Sequence, residues 1–138
     1  MNSTTNDPVD WLALGAWFGE AEGIMEDLTT CSLVVQAMVG GEPAWNLAAA
    51  EDLERLTCLT GVWLTTHPCP ESWVHDFLVA IIHVLIDLRE STRRSEGDAV
   101  HADDRFAAKV VRADLMISEL RSIAGRLHMY VGFDAHHA

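Results

Sequence analysis

Apolar residues recur along the chain at alternating intervals of three and four, the signature of one buried face of an α-helix. The first seam runs Trp11, Leu14, Phe18, Ala21, Met25, Leu28, Ser32, Val35 and Val39, with Ser32 as its polar interruption. Asp7-Pro8 predicts its start, Asp7 as cap and Pro8 as first helical residue, and Gly40-Gly41 its stop. A second helix opens at Glu42-Pro43, carries Ala49, Leu53, Leu56, Thr60 and Trp63, and ends at Pro68. A third begins near Pro70-Glu71 and runs to Arg94, with Val74, Leu78, Ile81, Leu85 and Leu88 on one seam. Phe77, Val79, Ile82, Val84 and Ile86 cover most of its remaining surface, so it is expected to be buried on several sides. The fourth starts near Asp103 and carries Phe106, Val110, Ala113, Ile117, Leu120, Ala124, Leu127 and Val131.

Four helices joined by short loops predict an all-α fold, an antiparallel four-helix bundle with up-down-up-down connections. One domain is expected over residues 1–138, frayed at 1–6 and 133–138. The apolar surplus of the third helix predicts either that it is the central helix or that one of its faces meets a second subunit, and a homodimer is the favoured expectation.

Composition narrows the class. A chain of 138 residues that is 49% hydrophobic can bury a core without disulfides or a metal. No apolar run approaches the roughly 18 residues of a membrane span. The start "MNSTTNDP" lacks the basic and apolar parts of a signal peptide, so a cytoplasmic location is expected. Cys31, Cys58 and Cys69 are odd in number and lack CxxC spacing, against a disulfide framework. The net charge of −12 is unevenly placed. Residues 1–88 hold thirteen acids and a single base, Arg55, whereas residues 89–138 hold eight of each. Such a field repels nucleic acid and anionic membrane and attracts basic protein surfaces.

Within the first helix, "GAWFGEAEG" sets Gly15, Gly19 and Gly23 four residues apart, each at a cost of about 1 kcal/mol relative to Ala. On a helical wheel they fall off the seam centred at Phe18 and share a face with Leu12 and Ala16. Glu22 and Glu26 flank that face on one side, Glu20 and Asp27 on the other. The expected result is a shallow, small-residue groove with an acidic rim, open to a partner helix; the alternatives are tolerated surface glycines or a seat for the fourth helix of the same chain.

Other constellations could carry chemistry. Asp76, His83, Asp87 and Glu90 form a narrow polar strip on the third helix, with His83 and Asp87 spaced for an i,i+4 hydrogen bond. Glu51 and Glu54 on the second helix should return to nearly the level of Asp87 and Glu90 on the third. In this spacing the chain resembles all-α nucleotide pyrophosphohydrolases of the MazG type, and the resemblance implies Mg²⁺ held by Glu51, Glu54, Asp87 and Glu90. Di-iron bundles need Glu-x-x-His on two helices, which is absent. "HVLID" lacks the Lys and Gly that follow the histidine of a phosphotransfer domain. His67, Cys69 and His75 crowd one turn with donors suited to Zn²⁺, but in no standard spacing. Arg105, Lys109 and Arg112 form a basic stripe expected to pair within the protein or across subunits.

The leading expectation is an acidic binding module without catalysis or cofactor, docking on a basic protein such as a nucleic-acid-binding protein or toxin. In size and charge it is similar to toxin immunity, anti-restriction, anti-CRISPR and anti-sigma-type antagonists, an analogy rather than a motif. The alternatives are the Mg²⁺-dependent enzyme and a structural dimerisation module.

Overall fold

A computed structural model describes residues 8–98 and 104–137, with side chains through residue 127. All regular structure among them is helical: α1 (Trp11–Glu20), α2 (Glu22–Met38), α3 (Pro43–Thr66), α4 (Ser72–Arg94) and α5 (Asp104–His137). The cap expected at Asp7, the segment 1–6, the start expected at Asp103 and the side chains of Val131 and the tail lie outside the described residues.

The expected single first helix is two. Pro8 precedes α1 rather than opening it. Asp10 is the cap instead, its carboxylate accepting a hydrogen bond from the Ala13 N–H at 3.0 Å, a contact worth about 1 kcal/mol. The break falls at Ala21, whose N–H is shared between the carbonyls of Trp17 and Phe18. Gly19 and Gly23 flank it, and their low helix propensity favours an interruption there. Ala21 itself is fully buried, so the seam stays directed inward through the interruption.

The boundaries of α3 and α4 follow the prolines. Pro43 occupies the first turn of α3, where its missing N–H costs nothing. Gly40, at φ +90°, supplies the left-handed turn after α2.

α3 packs on α2 and α4, and α5 packs on α1, α2 and α4. Leu28, Leu53, Leu78, Ile81, Leu85 and Leu120 are fully buried at the centre. The polar interruption of the first seam has a partner: the Ser32 hydroxyl donates to the Asp114 carboxylate of α5 at 2.7 Å, and Gln36 reaches the same oxygen at 3.0 Å. The apolar surplus of α4 is accounted for mainly within the chain. Phe77, Ile82 and Val84 are half-buried against the core, because α4 lies between α3 and α5. Of the large exposed apolar residues, Trp73 is the one on α4, whereas Trp45, Leu47, Leu59 and Val62 lie on α3.

One end of the molecule is tied by a buried amide. Asn46, in the first turns of α3, donates through Nδ2 to the carbonyls of Gly97 at 2.8 Å and Met38 at 3.2 Å. Its Oδ1 is buried without a partner. A Cβ on Gly41 would collide with that oxygen, and one on Gly97, which sits at φ +89°, would collide with the Pro43 carbonyl. Near the other end, the Trp17 indole N–H donates to the His67 carbonyl at 2.8 Å, joining α1 to the end of α3. Trp63 stacks on the His67 ring with centroids 4.4 Å apart.

Candidate functional site

The three glycines of "GAWFGEAEG" do not share one environment. Gly15 is buried, contrary to its expected place on an open face, because α1 packs there against α5. Gly15 and Gly19, with Phe18, Glu22 and Met25, form one wall of a cleft of about 500 Å³. Arg121, Ala124 and Gly125 of α5 form the other. Gly23 lies outside this cleft. A Cβ on Gly19 or Gly23 would meet nothing within 4 Å, so neither glycine is required by packing inside the chain.

The acidic rim has the expected exposure. Leu12, Ala16, Glu20, Glu22 and Glu26 are exposed and Asp27 is half-buried. Among the described residues no ion pair engages Glu20, Glu22, Glu26 or Asp27. Arg121 lines the cleft and also an adjoining hollow with Glu22, Glu26, Thr29 and Thr30, so one cation stands among the carboxylates. Beneath the rim, burial first and the charge of Asp27 second push the Cys31 thiol up to about 12. It is an inert core residue.

The carboxylates of α3 and α4 are arranged differently. Glu54 and Glu90 do come together across the two helices, as their spacing predicts, but a guanidinium stands between them. Arg93 donates to Glu54 at 3.0 Å and to Glu90 at 3.1 Å. Arg89, mostly buried, adds a 3.0 Å contact to Glu90 and a 4.0 Å contact to Glu54. The Arg89 hydrogen bond, assisted by the charges of both arginines, holds the Glu90 carboxyl below the usual range. Arg93 is in turn pushed up, chiefly by its hydrogen bond to Glu54.

Asp87 does not bond His83. Its carboxylate takes Lys109 of α5 at 2.6 Å, which accounts for the middle of the basic stripe. Glu51 and His83 are exposed on the surface. His67 Nδ1 lies 2.9 Å from the Thr66 hydroxyl and 3.1 Å from the Trp63 carbonyl, while Cys69 and His75 are half-buried. Among the described residues no three His, Cys, Asp or Glu side chains converge as a metal site.

Sequence reasoning missed Arg89 and Arg93, which were counted only within the neutral second part of the chain. Their i,i+4 spacing beside Glu90 was the available signal. It also missed Asn46, which lies three residues before Ala49 and seven before Leu53, on the seam itself. Comparison with protein-family models, with curated proteins and with solved structures found no match for this chain.

Proposed function

We propose that this chain is a small acidic protein-binding module whose α1–α2 face docks on a basic protein surface to inhibit or regulate it. The reading takes the fold as an antiparallel bundle of four helical columns, the first interrupted at Ala21, and the protein as cytoplasmic and homodimeric. One observation carries it: among the described residues Glu20, Glu22, Glu26 and Asp27 have no ion pair, while Glu54, Asp87 and Glu90 of α3 and α4 are each paired with arginine or lysine. Unpaired carboxylates beside a small-residue cleft steer a basic partner and leave room for an inserted side chain or helix. Leu12, Ala16, Gly19 and Gly23 would supply the close contact.

The test is purification of the tagged protein from its native host at low and at high salt. A basic protein recovered at low salt and lost at high salt is the expected outcome. The binding should also be lost on Gly19→Leu, which fills the cleft from a position where a Cβ meets nothing within 4 Å. Recovery that is indifferent to both salt and Gly19→Leu would remove the α1–α2 face from consideration.

A further inference from the structure

α3 carries a second helical seam that the core does not use. Trp45, Ala48, Asp52, Arg55, Leu59 and Val62 follow one another at intervals of three, four, three, four and three. All six are exposed, Trp45 at 47%, Leu59 at 50% and Val62 at 59%. The spacing is that of the a and d positions of a coiled coil, along about 26 Å of helix axis. A monomeric surface helix has no use for a heptad seam with tryptophan, leucine and valine on it.

The order of residues along the seam identifies what would cover it. Read outward from a point between Leu53 and Glu54, the two halves are complementary. Asp52 mirrors Arg55, Ala48 mirrors Leu59, and Trp45 mirrors Val62. An antiparallel two-fold pairing of α3 with its own copy joins each residue to its mirror, because in such an interface residue i meets j and j meets i. The central layers then place Asp52 of each copy against Arg55 of the other, two opposite-charge contacts by symmetry. The next layers set a small residue against a large one, and the outer layers join an indole to a valine.

A parallel pairing would instead oppose Asp52 with Asp52 and Arg55 with Arg55, so the charges also fix orientation. Within one chain Asp52 and Arg55 stand 3.9 Å apart with both side chains 62% exposed, which leaves both free to turn to a partner. Arg55 is the sole Lys or Arg among the first 88 residues, and it stands on this seam.

We infer that two copies of this chain associate through α3, antiparallel about a two-fold axis between Leu53 and Glu54. This rests on the homodimeric part of the proposed function, and it moves the interface from the apolar α4 face expected from sequence to α3.

Sedimentation of the full chain alone, over a concentration series, tests it. Dimers are expected for the wild type. Leu59→Glu, Asp52→Arg and Arg55→Asp should each weaken association ~10-fold or more, since every substituted layer occurs twice. The positions are exposed, so circular dichroism should show unchanged helix content. Two rescues are specific to this geometry. The double variant Asp52→Arg/Arg55→Asp should dimerise again. The Asp52→Arg chain mixed with the Arg55→Asp chain should form a heterodimer more readily than either variant forms a homodimer.

A wild type that stays monomeric at its highest attainable concentration would overturn the inference. So would a dimer indifferent to the three substitutions, or single variants that neither rescue restores. No basic partner takes part, so this failure leaves the α1–α2 docking face standing, and failure of the salt test leaves the dimer standing.

Discussion

Two halves of the molecule treat the same side chains in opposite ways. Along α3 and α4, several polar groups are paired internally: Glu54 and Glu90 share Arg89 and Arg93, and Asn46 donates to three backbone carbonyls. Along α1 and α2, Glu20, Glu22 and Glu26 stand exposed without ion pairs among the described residues. The difference teaches that acidity in the sequence is not one property. A carboxylate with a guanidinium across the seam contributes to the fold and projects little field. A carboxylate without one contributes field and adds repulsion to the folded chain.

The sharpest way to separate the halves is to delete one polar group from each and measure stability. Asn46→Ala should cost the most, ~2–4 kcal/mol in denaturant unfolding, because buried carbonyls of two loops lose their donor. A cost under ~1 kcal/mol would mean that water replaces the amide readily, and that this end is less dry than its burial indicates.

Glu54→Gln should cost less, at most ~1 kcal/mol, since its contacts to Arg93 and Arg89 are half in solvent. The same ladder carries a pH signature through Glu90. Its carboxyl is held below the ordinary value in the folded protein, so its contribution is complete above the ordinary Glu pKa of about 4.3. That contribution is lost as pH falls through the lower, folded value. Acid unfolding followed by circular dichroism should therefore be shallower at its acid limb for Glu90→Gln than for wild type. Identical profiles would show that the arginines do not bind Glu90 in solution.

The smallest effect on stability belongs to the open half. Replacing Glu20, Glu22 and Glu26 together by Gln should change unfolding free energy by no more than ~0.5 kcal/mol, in the stabilising direction, by relieving like-charge repulsion. The same variant should lose salt-sensitive partner recovery. A marked loss of stability would place these acids with the paired half and erase the distinction.

Much of the architecture was legible because punctuation and periodicity coincide. Pro43, Pro68 and Pro70 bound α3 and α4 almost to the residue, and the seams Val74–Leu88 and Phe106–Leu120 are buried. The break at Ala21 was not legible, because an uninterrupted seam fixes which face is buried and not whether the helix is continuous. The apolar surplus of α4 was visible, but the choice between a central helix and a subunit face was not: periodicity counts apolar positions without saying how many neighbours a helix has. At the candidate site, the approach of Glu54 to Glu90 followed from the fold-back of two helices. The arginine between them did not, since reach and rotamer decide where a long side chain ends. The second seam of α3 lay in the sequence throughout, and only the burial of the first one left it without a function inside the chain.

The tie made by Asn46 has a kinetic consequence. A single side chain holds the carbonyls of Met38, before the α2–α3 turn, and Gly97, in the turn that follows α4. Neither loop can loosen while the amide stays in place. The backbone protons of Gly41 and Gly97, donated to Met38 and Thr92, should therefore exchange with solvent as one cooperative unit rather than as two independently fraying turns.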